Sequence, residues 1–236
     1  MARASVFERY AARYDAWYEG PVGRGAYRSE VRALAPLLTR CPPPYLEIGV
    51  GSGRFAQALG VGFGIDPARE PLRMAAARGI RVAQAVGERL PFRDNAFGGV
   101  LLVVTLCFVE DPLGVLREAH RVLRADGGLV LGMILAESPW AAHYQEKGRQ
   151  GHPFYSIARF YSRQELEAWL EQAGFRVVEY RSTLFQAPDA PEIREEEVRP
   201  GFYPKAGFTG ILAQPLSKAG SKTKVRGQSP SCRKPK

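Results

Sequence analysis

Apolar residues along the first forty positions recur at helical spacing. Val6, Tyr10, Tyr14 and Trp17 lie three or four apart, which puts an aromatic stripe on one face of a helix. Gly20-Pro21 interrupts that pattern, and a second helix is predicted over 26–38, ended by Pro42-Pro43-Pro44. The period then changes. Short apolar runs at 45–49, 61–66, 80–84, 97–104 and 129–135 read as buried strands, separated by helical stretches at 53–59, 67–78 and 112–123 and by a turn at Asp126-Gly127-Gly128. Strands that alternate with helices predict an α/β fold, a Rossmann-like sheet of parallel strands covered on both faces. Residues 136–160 break the rhythm with an aromatic-rich insertion, a candidate lid. Ser162 with Glu165 forms a capping-box pair opening a helix that Gly174 ends. Strands at 175–185 and 207–213 follow, joined by an acidic, proline-rich loop at 186–205. The expected sheet has seven strands, mostly parallel with the last antiparallel, beneath an N-terminal helical cap.

With 236 residues the chain is long enough for one substantial core. The expected organisation is one domain over 1–216: a helical cap at 1–40, a core at 41–135, the lid at 136–160 and the rest of the sheet at 161–216. The last twenty residues hold seven lysines and arginines and no acid, and without them the net charge of +9 falls to +2. Residues 217–236 therefore read as a disordered basic tail, and the body lacks the charge of a nucleic-acid binder. Three scattered cysteines, Cys41, Cys107 and Cys232, fit a reducing compartment and offer no zinc spacing, so no metal is expected. No apolar run reaches 18 residues and no secretory pattern opens the chain, so a cytoplasmic location is expected.

The informative segment is Leu46-Glu47-Ile48-Gly49-Val50-Gly51-Ser52-Gly53-Arg54, which joins a predicted strand to a predicted helix. Gly49, Gly51 and Gly53 let the backbone turn tightly and approach a ligand. Such a turn is where doubly wound folds bind nucleotides. Arg54 replaces the last glycine of a dinucleotide fingerprint, and no Gly-Lys-Ser/Thr follows to make a P-loop. Glu47 suits a ligand with positive groups better than one with phosphates. Asp66, at the end of the second strand, is placed to accept two ribose hydroxyls. These features together describe a pocket for a cationic nucleoside, and S-adenosyl-L-methionine fits.

On these residues the chain resembles the class I S-adenosylmethionine-dependent methyltransferases, in the branch of the ubiquinone/menaquinone-pathway enzymes. The resemblance rests on 46–55, Gly64-Ile65-Asp66-Pro67, 87–92, the strand and helix from Val104 to Leu123, 125–128 and 161–175. It implies that Glu47, Gly49, Gly51 and Gly53 lie under the methionine moiety, that Asp66 with Pro67 holds the ribose, and that Gly87 and Glu88 contact adenine. It also implies a place beside the cofactor for Thr105, after the fourth strand, and for Tyr14 in an N-terminal segment (Phe7, Tyr14, Asp15, Trp17) that closes over it. Val86 stands where the family often has an acid for the adenine amine, and Cys107-Phe108 stands where it often has a histidine pair.

Methyl transfer from a sulfonium is an in-line displacement in which the protein mainly positions and desolvates, and S-adenosyl-L-homocysteine is the product. A hydroxyl acceptor would need a base, for which His143 and His152 are the candidates, with Tyr144 or Tyr155 to orient the acceptor. The expected partner is a small-molecule acceptor. Two alternatives stay open: an RNA methyltransferase anchored by the basic tail, and a non-catalytic cofactor-binding protein on the same fold.

Overall fold

Leu46 and Ile48 of the first strand are fully buried, and so is every residue of the fourth; strands covered on both faces belong to the centre of a parallel sheet. A computed structural model of the chain describes residues 2–216, so the basic tail and Cys232 lie outside the described residues. Strands β1 (Tyr45–Ile48), β2 (Phe63–Asp66), β3 (Arg81–Gln84), β4 (Phe97–Val103) and β5 (Leu123–Met133) pair in parallel. Strands β6 (Phe175–Thr183), β7 (Arg199–Pro200) and β8 (Phe208–Pro215) extend the sheet to the order β3-β2-β1-β4-β5-β8-β6-β7. β8 runs antiparallel to both its neighbours, as expected of the last strand. The eighth strand is β7, a two-residue edge pairing too short to leave a pattern in the sequence.

Alternate residues of the central strands feed two cores. Leu101, Val103, Val130 and Leu212 face helix α2 (Pro21–Leu38), which contributes Ala33, Leu34, Leu37 and Leu38, and helices α3 (Arg54–Leu59) and α4 (Arg69–Ala77). Val100, Leu102, Leu129, Leu131 and Ile211 face α5 (Pro112–Val122) and α7 (Arg163–Gln172) on the other side. Each such side chain contributes about 1.5–3 kcal/mol by leaving water. The two remaining helices, α1 (Ala2–Trp17) and α6 (Pro139–Arg149), serve the functional end of the sheet.

Three boundaries differ from the sequence expectation. Helix α2 begins at Pro21, not near 26, because proline at the first helical position has its φ preset and lacks an amide that would go unbonded anyway. The turn expected at Asp126-Gly127-Gly128 is absorbed into β5, where the pairing with β4 slips between Phe97 and Gly99. The insertion at 136–160 contains α6, whose first turn is capped by Ser138 accepting from the Trp140 amide. The capping box of Ser162 and Glu165 forms as predicted.

Candidate functional site

The strand order reverses between β1 and β4, which opens a crevice beyond their C-terminal ends. The chain leaves β1 through Gly49 (φ +74) and Gly51 (φ +52), and leaves β4 through Val104 (φ +48). A Cβ on Gly49 would lie 2.4 Å from the Thr105 methyl, so the two lips of the crevice interlock where that residue has no side chain. A Cβ on Gly51 would meet nothing within 4 Å; it would point into open space. Val104 is β-branched, and its left-handed backbone is strained by about 1–3 kcal/mol.

A first cavity occupies this crevice. Its floor is Gly49, Gly51, Ser52 and Asp66; Pro67, Thr105 and Val104 form its sides, and α1 covers it with Phe7 and Tyr14. Asp66 accepts from the Gly51 amide through Oδ2 (3.0 Å) and from the Ala68 amide through Oδ1 (2.9 Å), which leaves further lone pairs for a ligand. Burial pushes its pKa up against those two bonds. Among the described residues no lysine or arginine lines this cavity, so these residues offer a pyrophosphate no counter-charge. A neutral-to-cationic nucleoside does fit: one carboxylate, bare backbone and aromatic walls.

Arg54 has another partner. Asp15 of α1 accepts from Arg54 Nε (2.7 Å) and Nη2 (2.8 Å), from Ser52 Oγ (2.5 Å) and from Arg78 Nη2 (3.0 Å). Arg78 Nη1 also donates to the Ser52 carbonyl (2.6 Å). Burial alone would raise the Asp15 pKa, but the bonds from Arg54, Ser52 and Arg78 outweigh it and hold the carboxyl at about 2. This cluster latches α1 to the glycine turn.

Four residues expected at the cofactor do not line the cavity. Glu47 is 2% exposed beneath the turn, where the α3 amide of Ala56 reaches it; Oε2 has no partner among the described residues, and desolvation raises its pKa strongly. Gly53 is a packing glycine, since a Cβ there would sit 2.9 Å from the Ala75 backbone. Gly87 packs against Ile48 and Val115. Glu88 accepts from the Glu110 and Asp111 amides ahead of α5.

A second cavity of about 240 Å³ adjoins the first and shares Tyr14, Val104 and Phe108 with it. His152 and Tyr155 line it, with Tyr144, Phe154 and Glu30. Tyr155 stacks between Tyr144 (4.2 Å between ring centres) and His152 (4.3 Å), and burial pushes its phenol up to about 12. His143 lines a third cavity, beside Asp189, with Nε2 buried and without a hydrogen-bond partner among the described residues. The sequence reading missed Glu30, Val104 and Ser52. An acid amid the apolar positions of α2 was the available signal for Glu30; nothing in the sequence marks the backbone of Val104.

No helix of the described residues is long and apolar enough to cross a membrane, and no metal-binding cluster is found among them.

Residues 46–131, which run from β1 through the glycine turn into β5, match the family described as "Methyltransferase domain". An uncharacterised protein of Mycobacterium tuberculosis is 47% identical over 90% of this chain and 75% of its own length. One from Methanocaldococcus jannaschii is 36% identical over 90% of this chain and 100% of its own. A crystal structure from Thermotoga maritima, described as a SAM-dependent methyltransferase and possible histamine N-methyltransferase, is 35% identical, with a TM-score of 0.82 over 90% of this chain and 99% of that one. A relative this similar along its whole length, with the domain match over the very strands that build the crevice, makes the chain a class I S-adenosylmethionine-dependent methyltransferase with S-adenosyl-L-methionine as its cofactor.

Proposed function

We propose that this enzyme methylates a small-molecule acceptor held in the second cavity, with the cofactor in the first. The observation that carries this reading is the shared wall: Tyr14, Val104 and Phe108 line both cavities. When bound, S-adenosyl-L-methionine supplies an electrophilic methyl on a sulfonium, and S-adenosyl-L-homocysteine remains.

The chain's own residues bind, orient and exclude water. Asp66 receives the ribose hydroxyls, and Gly49 and Gly51 let the backbone lie close under the methionine moiety. Val86, 47% exposed just after β3, offers an apolar face to adenine. Phe7, Tyr14 and Thr105 close around the sulfonium, where aromatic faces attract positive charge. Holding the acceptor in line with the methyl supplies up to about 7–11 kcal/mol of the barrier reduction without an acid. His152 and Tyr155 are the side chains of the second cavity placed to orient a protic acceptor. Burial, with Arg13 and Lys147 nearby, keeps the His152 pKa below its usual value, so its imidazole is a neutral base at pH 7. A cavity of this size favours a small molecule over an RNA, and a compact amine such as the one named for the Thermotoga maritima protein is of suitable size.

Calorimetry with S-adenosyl-L-homocysteine, S-adenosyl-L-methionine and NADH tests the cofactor site. Micromolar binding of the first two and none of the third is expected; preference for the dinucleotide would overturn the reading.

A further inference from the structure

Glu30 lies in the middle of α2, 6% exposed, and lines the second cavity. Its carboxyl has no hydrogen bond or ion pair with any described residue, and desolvation alone pushes its pKa up to about 8. Buried carboxyls are normally paired, because an unpaired one forfeits its hydration. Its charge is felt by the phenols of Tyr14, Tyr18, Tyr144 and Tyr155, and these bond one another. Tyr18 donates to Tyr14 (3.3 Å), and Tyr144 bonds Tyr155. Glu30 is thus the one acid among the residues lining the cavity, and no described residue neutralises it.

We propose that Glu30 anchors a cationic amine acceptor, whose ammonium pairs with the carboxylate while its flat apolar body lies among the rings of Tyr14, Phe108 and Tyr155. This rests on the two-cavity methyltransferase reading above. The other charged or titratable side chains lining the cavity are Arg13 from α1, Lys147 from α6 and His152. Arg13 and Lys147 are exposed, so water screens their charge. His152 is held neutral by burial at pH 7. Glu30 is therefore the one group of the interior that can supply a negative charge, and it ionises to meet a cation.

The same contact prepares the nucleophile. The ammonium passes one proton to the Glu30 carboxylate, and the freed nitrogen lone pair forms the N–C bond to the donor methyl. The C–S bond breaks with its electron pair going to sulfur. The products are a methylammonium, a neutral thioether and a protonated Glu30, which returns its proton to water.

The test is calorimetry on the full chain saturated with S-adenosyl-L-homocysteine. A panel of aryl-ethyl and alkyl amines, 2-phenylethylamine among them, is titrated against the alcohol isostere of each. At least one amine is expected to bind tenfold or more tightly than its alcohol, with close to one proton (about 0.9) released per amine at pH 7, as buried Glu30 ionises to meet it. Glu30→Gln should abolish both the preference and the proton release while S-adenosyl-L-homocysteine binds unchanged; Glu30→Asp should keep part of each. If no amine exceeds its alcohol, or if Glu30→Gln retains the preference, the proposal is wrong while the methyltransferase reading stands. If wild-type protein fails to bind S-adenosyl-L-homocysteine, the two-cavity reading itself falls.

Discussion

The latch between α1 and the glycine turn predicts that a residue outside the cavity lining controls cofactor affinity. Asp15→Asn keeps the shape of the side chain and removes the charge that two guanidiniums share. A carboxyl held at about 2 rather than 3.8 carries about 2 kcal/mol of stabilisation, at ~1.4 kcal/mol per pH unit. Its side chain is only 12% exposed, so solvent screening removes little of this. Because α1 supplies Phe7 and Tyr14 to the cavity, loosening it exposes the cofactor. A loss of about 2 kcal/mol in docking α1 limits the weakening of S-adenosyl-L-homocysteine to roughly 30-fold. Calorimetry at pH 7.5 should show a 10- to 30-fold rise in Kd. The folded-state pKa lies below the unfolded one, so the stabilisation is complete above about pH 4 and disappears as pH falls toward 2. Denaturant titrations of wild type and variant should accordingly converge at low pH. Affinity within twofold of wild type would refute the reasoning, since it would mean that α1 contributes nothing to holding the cofactor.

The two kinds of glycine in the turn should separate by assay. Gly51→Ala points its methyl into the cavity, at a backbone cost of about 1–2 kcal/mol, and should weaken S-adenosyl-L-homocysteine binding. Gly53→Ala drives its methyl into α4 and should instead lower thermal stability, by about 2–4 kcal/mol from backbone and overpacking together. Asp66→Asn must turn its amide toward either the Gly51 or the Ala68 N–H, donor against donor. Loss of a charge-assisted bond of about 1.5–3 kcal/mol should raise the S-adenosyl-L-homocysteine Kd roughly 10- to 100-fold. Asp111 caps α5 by accepting from Gly114 (2.9 Å), so Asp111→Ala should cost about 1 kcal/mol of stability in chemical denaturation, with cofactor affinity unchanged.

The strands and the capping box were legible because their signals are local: an apolar run, a proline, a serine three residues before a glutamate. The crevice was legible through Gly49, Gly51 and Asp66, since each meets the cavity within a residue or two of a strand end. Glu47 lies beneath the turn and not in the cavity lining, for a physical reason. In a strand, one residue's difference in position turns the side chain to the other face, and spacing from the glycines does not reveal which face meets the ligand. Glu88 reads equally well as an adenine contact or as an acceptor for loop amides, and only tertiary structure shows that the Glu110 and Asp111 amides claim it. Glu30 lay hidden because a single acid on an amphipathic helix normally marks the wet face. Here part of the surface it faces comes from residues more than a hundred positions away, Tyr144 and Tyr155 among them.

The aromatic stripe of α1 then takes on a second meaning. Phe7 meets Phe108 edge-on (5.0 Å) and Phe154 (5.2 Å), and Tyr14 meets Phe154 (5.2 Å). Phe108 belongs to the segment after β4, and Phe154 to the insertion after β5. One helix therefore ties together the turn after β1, through Asp15, and both later segments, through its rings. The second cavity takes Arg13, Tyr14 and Trp17 from this helix and Tyr18 from the turn that follows, so it is complete only while the helix is docked. Docking is held by charge at the glycine turn and by ring packing against the segments after β4 and β5. Any gain in docking that a ligand in the first cavity brings must therefore also favour binding in the second, by the reciprocity of linked equilibria. The two sites are coupled by construction, with no element other than α1 needed to carry the coupling.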